Sequence, residues 1–105
     1  MKVTLGALCL VLVVGAGLVL AQDPARTERG RQQFFDQGCY GCHIIGKVGT
    51  PIGPDLSRVG SRYSSAYLAR WLRDPQSQRP AAHMPQLELT EEQIAALAAY
   101  LSTLR

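Results

Sequence analysis

The chain has 105 residues, room for one small domain, and no internal repeat or long linker divides it. Eleven basic against eight acidic residues give a net charge of +3, and no basic cluster is interleaved with aromatics, which excludes a nucleic-acid-binding surface. Of three cysteines only Cys39 and Cys42 lie beyond the first 21 residues, so no framework of structural disulfides is available.

The first element is apolar. Lys2 precedes eighteen uncharged residues, Val3 to Leu20, and polar sequence begins at Gln22-Asp23-Pro24 after Val19-Leu20-Ala21. This pattern reads as a secretory leader. The run is long for a leader and short for a spanning helix, so residues 1–21 are expected to be either a signal peptide or an uncleaved N-terminal membrane anchor. Cys9 follows Leu8 where a lipoprotein signal wants a small residue, and it is read as a small hydrophobe within the run. Residues 22–105 then form one domain of 84 residues with ten basic and eight acidic side chains. A chain of that size buries only about 60–65% of its extended surface and is marginal unaided.

A helix is predicted from about Pro24 to Gln37, capped by Asp23 or Thr27 and stopped by Gly38. Its apolar residues are few: Ala25, Phe34 and Phe35. Gly30 lies four residues before Phe34 on the same face, where it permits a close helix crossing.

Next comes Cys39-Tyr40-Gly41-Cys42-His43. CxxCH is the attachment signature of haem c. The two thiols bond to the haem vinyl groups, and the adjacent histidine falls under the iron as an axial ligand. A structural zinc site needs four protein ligands. Beyond the leader the chain offers Cys39, Cys42, His43 and His83, and the neighbours Cys42 and His43 rarely both reach one small ion. A thioredoxin-type dithiol belongs to a βαβ context that is not visible here. Haem c is therefore the expected cofactor, and as a large apolar group it supplies the core that so short a chain lacks.

A third helical segment is expected over Ser64–Asp74, with Tyr67, Leu68, Trp71 and Leu72 as its apolar face and Pro75 as its stop. Tyr67 and Trp71 are either packed core or polar-tipped residues at the haem edge. The Pro-bounded loop Arg79–Pro85 carries His83 and Met84, the only other candidate iron ligands after the leader, and the residue types alone do not choose between them. The last helix is the best specified. Thr90 and Gln93 make a capping box, Leu89 and Ile94 a hydrophobic staple, and Ile94, Leu97, Ala98, Leu101 and Leu104 recur at helical spacing. No segment alternates at period two long enough for a convincing strand. Arg58, Arg62 and Tyr63 are candidate partners for the haem propionates, since guanidinium groups suit carboxylates.

The ordered set Cys39-Tyr40-Gly41-Cys42-His43, Gly53-Pro54-Asp55-Leu56, Met84-Pro85 and a final helix with Leu97 and Tyr100 resembles the small class I cytochromes c of bacteria, over residues 26–104. The resemblance implies an all-α cytochrome c fold of three to four helices and loops wrapped around one covalent haem. It implies His43 as the proximal ligand, Met84 as the distal one, and the Pro54 carbonyl as acceptor for the second nitrogen of His43. It also implies that Gly53 lets the backbone approach the haem, and that the first and last helices cross near Gly30, Phe34, Leu97 and Tyr100. The implied function is one-electron transfer, without catalysis, outside the cytoplasm in the periplasm. The donor would be a quinol-oxidising complex or dehydrogenase and the acceptor an oxidase or reductase. The stretch from Arg58 to Pro75 also resembles haem domains of nitric-oxide reductase small subunits and sulfur-oxidising cytochromes, so a subunit of such a complex is an alternative. A haem sensor or enzyme with an open sixth site is a further one. Lys47 is the only lysine beyond the leader, so no lysine-rich docking ring is present, and any steering of acidic partners falls to a modest positive face.

Overall fold

The computed structural model describes residues 23–105, so the leader or anchor expectation for residues 1–21 lies outside the described residues. The elements in chain order are α1 (Pro24–Asp36), a single 3-10 turn at Cys39–Gly41, β1 (Ile44–Ile45), β2 (Val48–Gly49), α2 (Val59–Arg62), α3 (Ser65–Arg73), α4 (Pro75–Gln78) and α5 (Glu91–Ser102). Five helices rather than three to four are therefore present among the described residues, because α2 and α4 are four-residue turns too short to show a periodicity in sequence. The strand pair, antiparallel with Ile44 opposite Gly49 and Ile45 opposite Val48, is likewise too short to alternate.

Local chemistry sets the three long helices. The Asp23 carboxylate accepts from the Ala25 N–H and Pro24 takes the first helical position, where its missing N–H costs nothing. Gly38, with φ of 76°, ends that run in the left-handed conformation that L side chains avoid. Ser64 caps α3 by accepting from the Tyr67 N–H, and Pro75 closes it by opening α4. Thr90 and Gln93 form the reciprocal capping box of α5, with Leu89 packed against the core beneath it.

α5 is the centre of the domain. α1 crosses one side of it and α3 packs on another. The shared core is Phe34 from α1, Val59 from α2, Leu68 and Leu72 from α3, and Ile94, Leu97, Ala98 and Leu101 from α5. Leu97 is fully buried, a burial that contributes about 2 kcal/mol. The two phenylalanines of α1 divide: Phe34 enters the core, edge-on to Tyr40 with ring centroids 4.7 Å apart, while Phe35 faces outward at 72% exposure. Gly30 is buried at the α1–α5 crossing, against Ala96 and Tyr100.

Candidate haem site

The CxxCH segment sits where α1 ends. Gly38 turns the chain, and the 3-10 turn that follows closes with the His43 N–H donating to the Cys39 carbonyl at 3.0 Å. Cys39 is half-buried and Cys42 exposed, and the two are not joined in a disulfide. Burial pushes the Cys39 thiol up from its ordinary pKa, and the neighbouring Cys42 adds to the shift.

His43 is oriented from the other side. Its Nδ1 lies 2.8 Å from the Pro54 carbonyl oxygen, and since that oxygen only accepts, Nδ1 carries the proton. The lone pair is thereby left on Nε2. The loop that brings Pro54 back is pinned by the Gly53 N–H to the Cys42 carbonyl at 2.5 Å and by the Leu56 N–H to the Ile44 carbonyl at 2.8 Å. A Cβ on Gly53 would lie 2.6 Å from His43 Cε1 and 3.0 Å from Nδ1, so only glycine leaves room for the ring at this position. Asp55 accepts from Ser57, and the Ser57 hydrogen bonds, ahead of the nearby Arg62 charge, hold its carboxyl below the usual range.

The Met84 loop is held by α3 and α4. Gln76 Nε2 donates to the carbonyls of both Ala82 and Met84 at 3.1 Å, and the Trp71 indole donates to the Met84 sulfur at 3.2 Å. Gln76 was not a sequence candidate; it sits in the polar run Pro75–Gln78, and nothing in that run distinguishes it. Met84 packs half-buried against the core, while His83 is exposed. Trp71 is half-buried at the end of an aromatic row: Tyr63 stacks on Tyr67 at 4.7 Å, and Tyr67 lies 6.4 Å from Trp71. Arg58 and Arg62 flank α2 on the surface, and among the described residues the ion pairs are Arg31–Glu28 and Arg73–Glu91, so neither arginine joins one. Also among the described residues, no three His, Cys, Asp or Glu side chains gather as a metal site.

A family model described as Cytochrome c matches residues 27–105, and the chain belongs to the cytochrome c family. It is 37% identical over 95 residues to a cytochrome c oxidase subunit 2 of Alkalihalophilus pseudofirmus, and 33% identical over 102 residues to one of Bacillus sp. strain PS3. Those matches take in 80% and 79% of this chain but 28% and 27% of the relatives, so the chain spans little more than a quarter of their length. Its fold is that of the crystal structure of the c-type cytochrome SorU from Sinorhizobium meliloti, with a TM-score of 0.62 at 23% identity over 78% of this chain and 93% of that one. The all-α cytochrome c fold is thus established. With it come a covalently bound haem c and haem-based electron transfer as the chain's work.

The residues fit that cofactor. Two cysteines outside any disulfide stand at CxxCH spacing, and the histidine beside them has one nitrogen hydrogen-bonded, to the Pro54 carbonyl. On the strand and loop that follow this segment, Val48 at 59% and Ile52 at 74% leave large apolar side chains exposed.

Proposed function

We propose that Cys39 and Cys42 hold the haem through two thioether bonds, that His43 Nε2 and the Met84 sulfur are its axial ligands, and that the protein passes single electrons between redox proteins outside the cytoplasm. The observation that carries this reading is the 2.8 Å contact between His43 Nδ1 and the Pro54 carbonyl, which fixes the tautomer and plane of the imidazole and enriches it as a donor. When bound, the haem supplies an iron that alternates between ferrous and ferric. The chain's own work is to hold and insulate it. Pro54 and Gly53 keep the His43 ring in one orientation, and Gln76 keeps the Met84 backbone in place, so little has to move when an electron arrives. As a soft thioether ligand, Met84 would favour the ferrous state and raise the potential. Tyr63 and Trp71 lie at the two ends of the aromatic row through Tyr67, and they are assigned with Arg58 and Arg62 to the haem periphery.

The likeness to oxidase subunits supports a terminal oxidase as the acceptor, with a quinol-oxidising complex or dehydrogenase as donor. The same likeness favours a second reading, in which this domain works as the haem-bearing part of a larger respiratory complex. Residues 1–21 would deliver the domain to the periplasm as a cleaved leader or keep it there as an anchor. Among the described residues no helix is long and apolar enough to cross a membrane.

Intact mass of the natively expressed protein reports haem attachment and the fate of residues 1–21 together. The ligand pair is tested by the long-wavelength charge-transfer band of a thioether–ferric iron bond. Met84→Ala loses the band and His83→Ala retains it. A band that survives Met84→Ala shows that the sixth ligand is another residue.

A further inference from the structure

The Pro54 carbonyl is aimed by its neighbours. The Gly53 N–H donates to the Cys42 carbonyl and the Leu56 N–H to the Ile44 carbonyl, so the segment is fastened on either side of it. The peptide planes between those two fastenings are not held by them, and one carries the carbonyl that meets His43 Nδ1 at 2.8 Å. The proline ring fixes φ of Pro54 but leaves ψ, so this plane can swivel unless Asp55 is fixed as well. Ser57 fixes it. Asp55 Oδ1 accepts from the Ser57 N–H at 2.8 Å, a closed turn that sets the Asp55 backbone. Ser57 is held from outside the segment. Its hydroxyl accepts from the Gly46 N–H at 2.7 Å, in the turn between β1 and β2 where Gly46 has φ of 63°. The hydroxyl keeps one proton to donate, and the Asp55 carboxylate faces it.

We infer that Asp55 and Ser57 are positioning residues for His43, latching the peptide plane between Pro54 and Asp55 so that its carbonyl stays on the Nδ1 proton. This deepens the proposed ligation by His43 and rests on it. The path runs from Gly46 through Ser57, Asp55 and Pro54 to His43, and each link is a hydrogen bond or a shared peptide. A carbonyl held on Nδ1 makes the imidazole a more electron-rich donor, which suits ferric iron more than ferrous. Releasing the latch lets the carbonyl swing off the proton. The imidazole then donates less, and the potential rises. Ser57 is half-buried and Asp55 exposed, and neither belongs to the apolar core, so the effect appears at His43 and not in the stability of the helices.

Two readouts test this on the haem-loaded protein: solvent exchange of the His43 Nδ1 proton, followed by NMR in the ferrous state, and the midpoint potential. Ser57→Ala is expected to exchange that proton about fivefold faster, the factor that one ordinary hydrogen bond is worth, and to have a higher potential. Ser57→Thr keeps the hydroxyl and should restore both values. The amide protons of Leu97 and Leu101 in α5 should exchange as in wild type. Unchanged Nδ1 exchange and potential in Ser57→Ala overturn the inference and leave the ligation standing. So does a uniform acceleration that includes the α5 amides, since Ser57 would then serve the fold and not the ligand. His43 ring protons in wild type that lack the large upfield displacement of a group lying under a haem overturn the ligation and the inference together. Should Ser57→Ala fail to load haem, exchange in two variants of the exposed Asp55 decides. Asp55→Asn keeps an acceptor oxygen for the Ser57 N–H and should match wild type, while Asp55→Ala should exchange faster. Equal exchange in Asp55→Ala and wild type rules the latch out.

Discussion

Gly30 of α1 and Ala96 of α5 meet backbone to backbone: a Cβ built on Gly30 lands on the Ala96 carbonyl and 2.7 Å from the Tyr100 Cβ. The two longest helices approach this closely only because one of them lacks a side chain at the crossing. Gly30→Ala would improve intrinsic helix propensity by about 1 kcal/mol, so the local effect and the packing effect have opposite signs. Backbone atoms cannot swing aside as a flexible side chain can. The crossing should therefore win, with a net loss of about 1–3 kcal/mol. Denaturant unfolding of the haem-loaded variant measures it, and a stabilised Gly30→Ala would mean that the helices separate without cost.

The double clamp on the Met84 loop gives a different kind of outcome. Gln76→Ala removes both amide bonds, to Ala82 and to Met84, while leaving the Trp71–Met84 contact. The side chain is exposed, so global stability should change little, by about 0.5 kcal/mol or less. The loop should instead open more often. Exogenous imidazole, which competes for the position assigned to Met84, is expected to bind faster in Gln76→Ala than in wild type at similar unfolding midpoints. Equal binding rates would show that the loop is held by its packing alone.

The elements legible in the sequence are those whose cause is local. The capping box of α5 and its apolar spacing lie within fifteen residues, and the helix begins where Thr90 and Gln93 say it should. Ser64, Pro75 and Asp23 mark the ends of α3 and α1 in the same way. Short elements escape: α2, α4 and the two-residue strands have no room to display a period. Residues that matter through space escape too. Nothing near Gln76 in the sequence says that its amide reaches two carbonyls six and eight positions on, and the division of Phe34 from Phe35 depends on where α5 lies. The choice between packed core and haem edge for Trp71 was open in sequence for the same reason. The sulfur it touches belongs to a loop 13 residues away.

The burial pattern also bears on the protein without its cofactor. Every core side chain but Val59 comes from the three long helices, and no residue from 39 to 58 is buried. That segment, which carries the CxxCH motif and the Pro54 loop, has backbone hydrogen bonds but no apolar core of its own. In a domain this small the haem is the missing core. A Cys39→Ala, Cys42→Ala double variant, unable to anchor haem, is expected to lose most of its helical far-ultraviolet signal and cooperative unfolding. A double variant with native helix content would show that the helices stand without the cofactor.

Acid should weaken the contact between α3 and α5 in a defined direction. Arg73 grips Glu91 with two hydrogen bonds, at 2.9 and 2.6 Å, and this holds the Glu91 carboxyl below its usual pKa. The unfolded chain keeps the ordinary value. Protons are therefore taken up first by the unfolded state as the pH falls, and the stabilisation is full above the ordinary carboxylate pKa and lost as the pH drops through the depressed one. Glu91 also lies in the first turn of α5, where a negative charge suits the helix N-terminus, so both effects share that sign. The pair is exposed, which keeps its contribution small and sensitive to salt. Unfolding midpoints of wild type and Glu91→Gln should thus differ most near neutral pH in dilute buffer, converge in acid, and draw together when salt is added at neutral pH. A gap that stays constant from neutral to strongly acidic conditions would mean that Glu91 acts through packing and not through its charge.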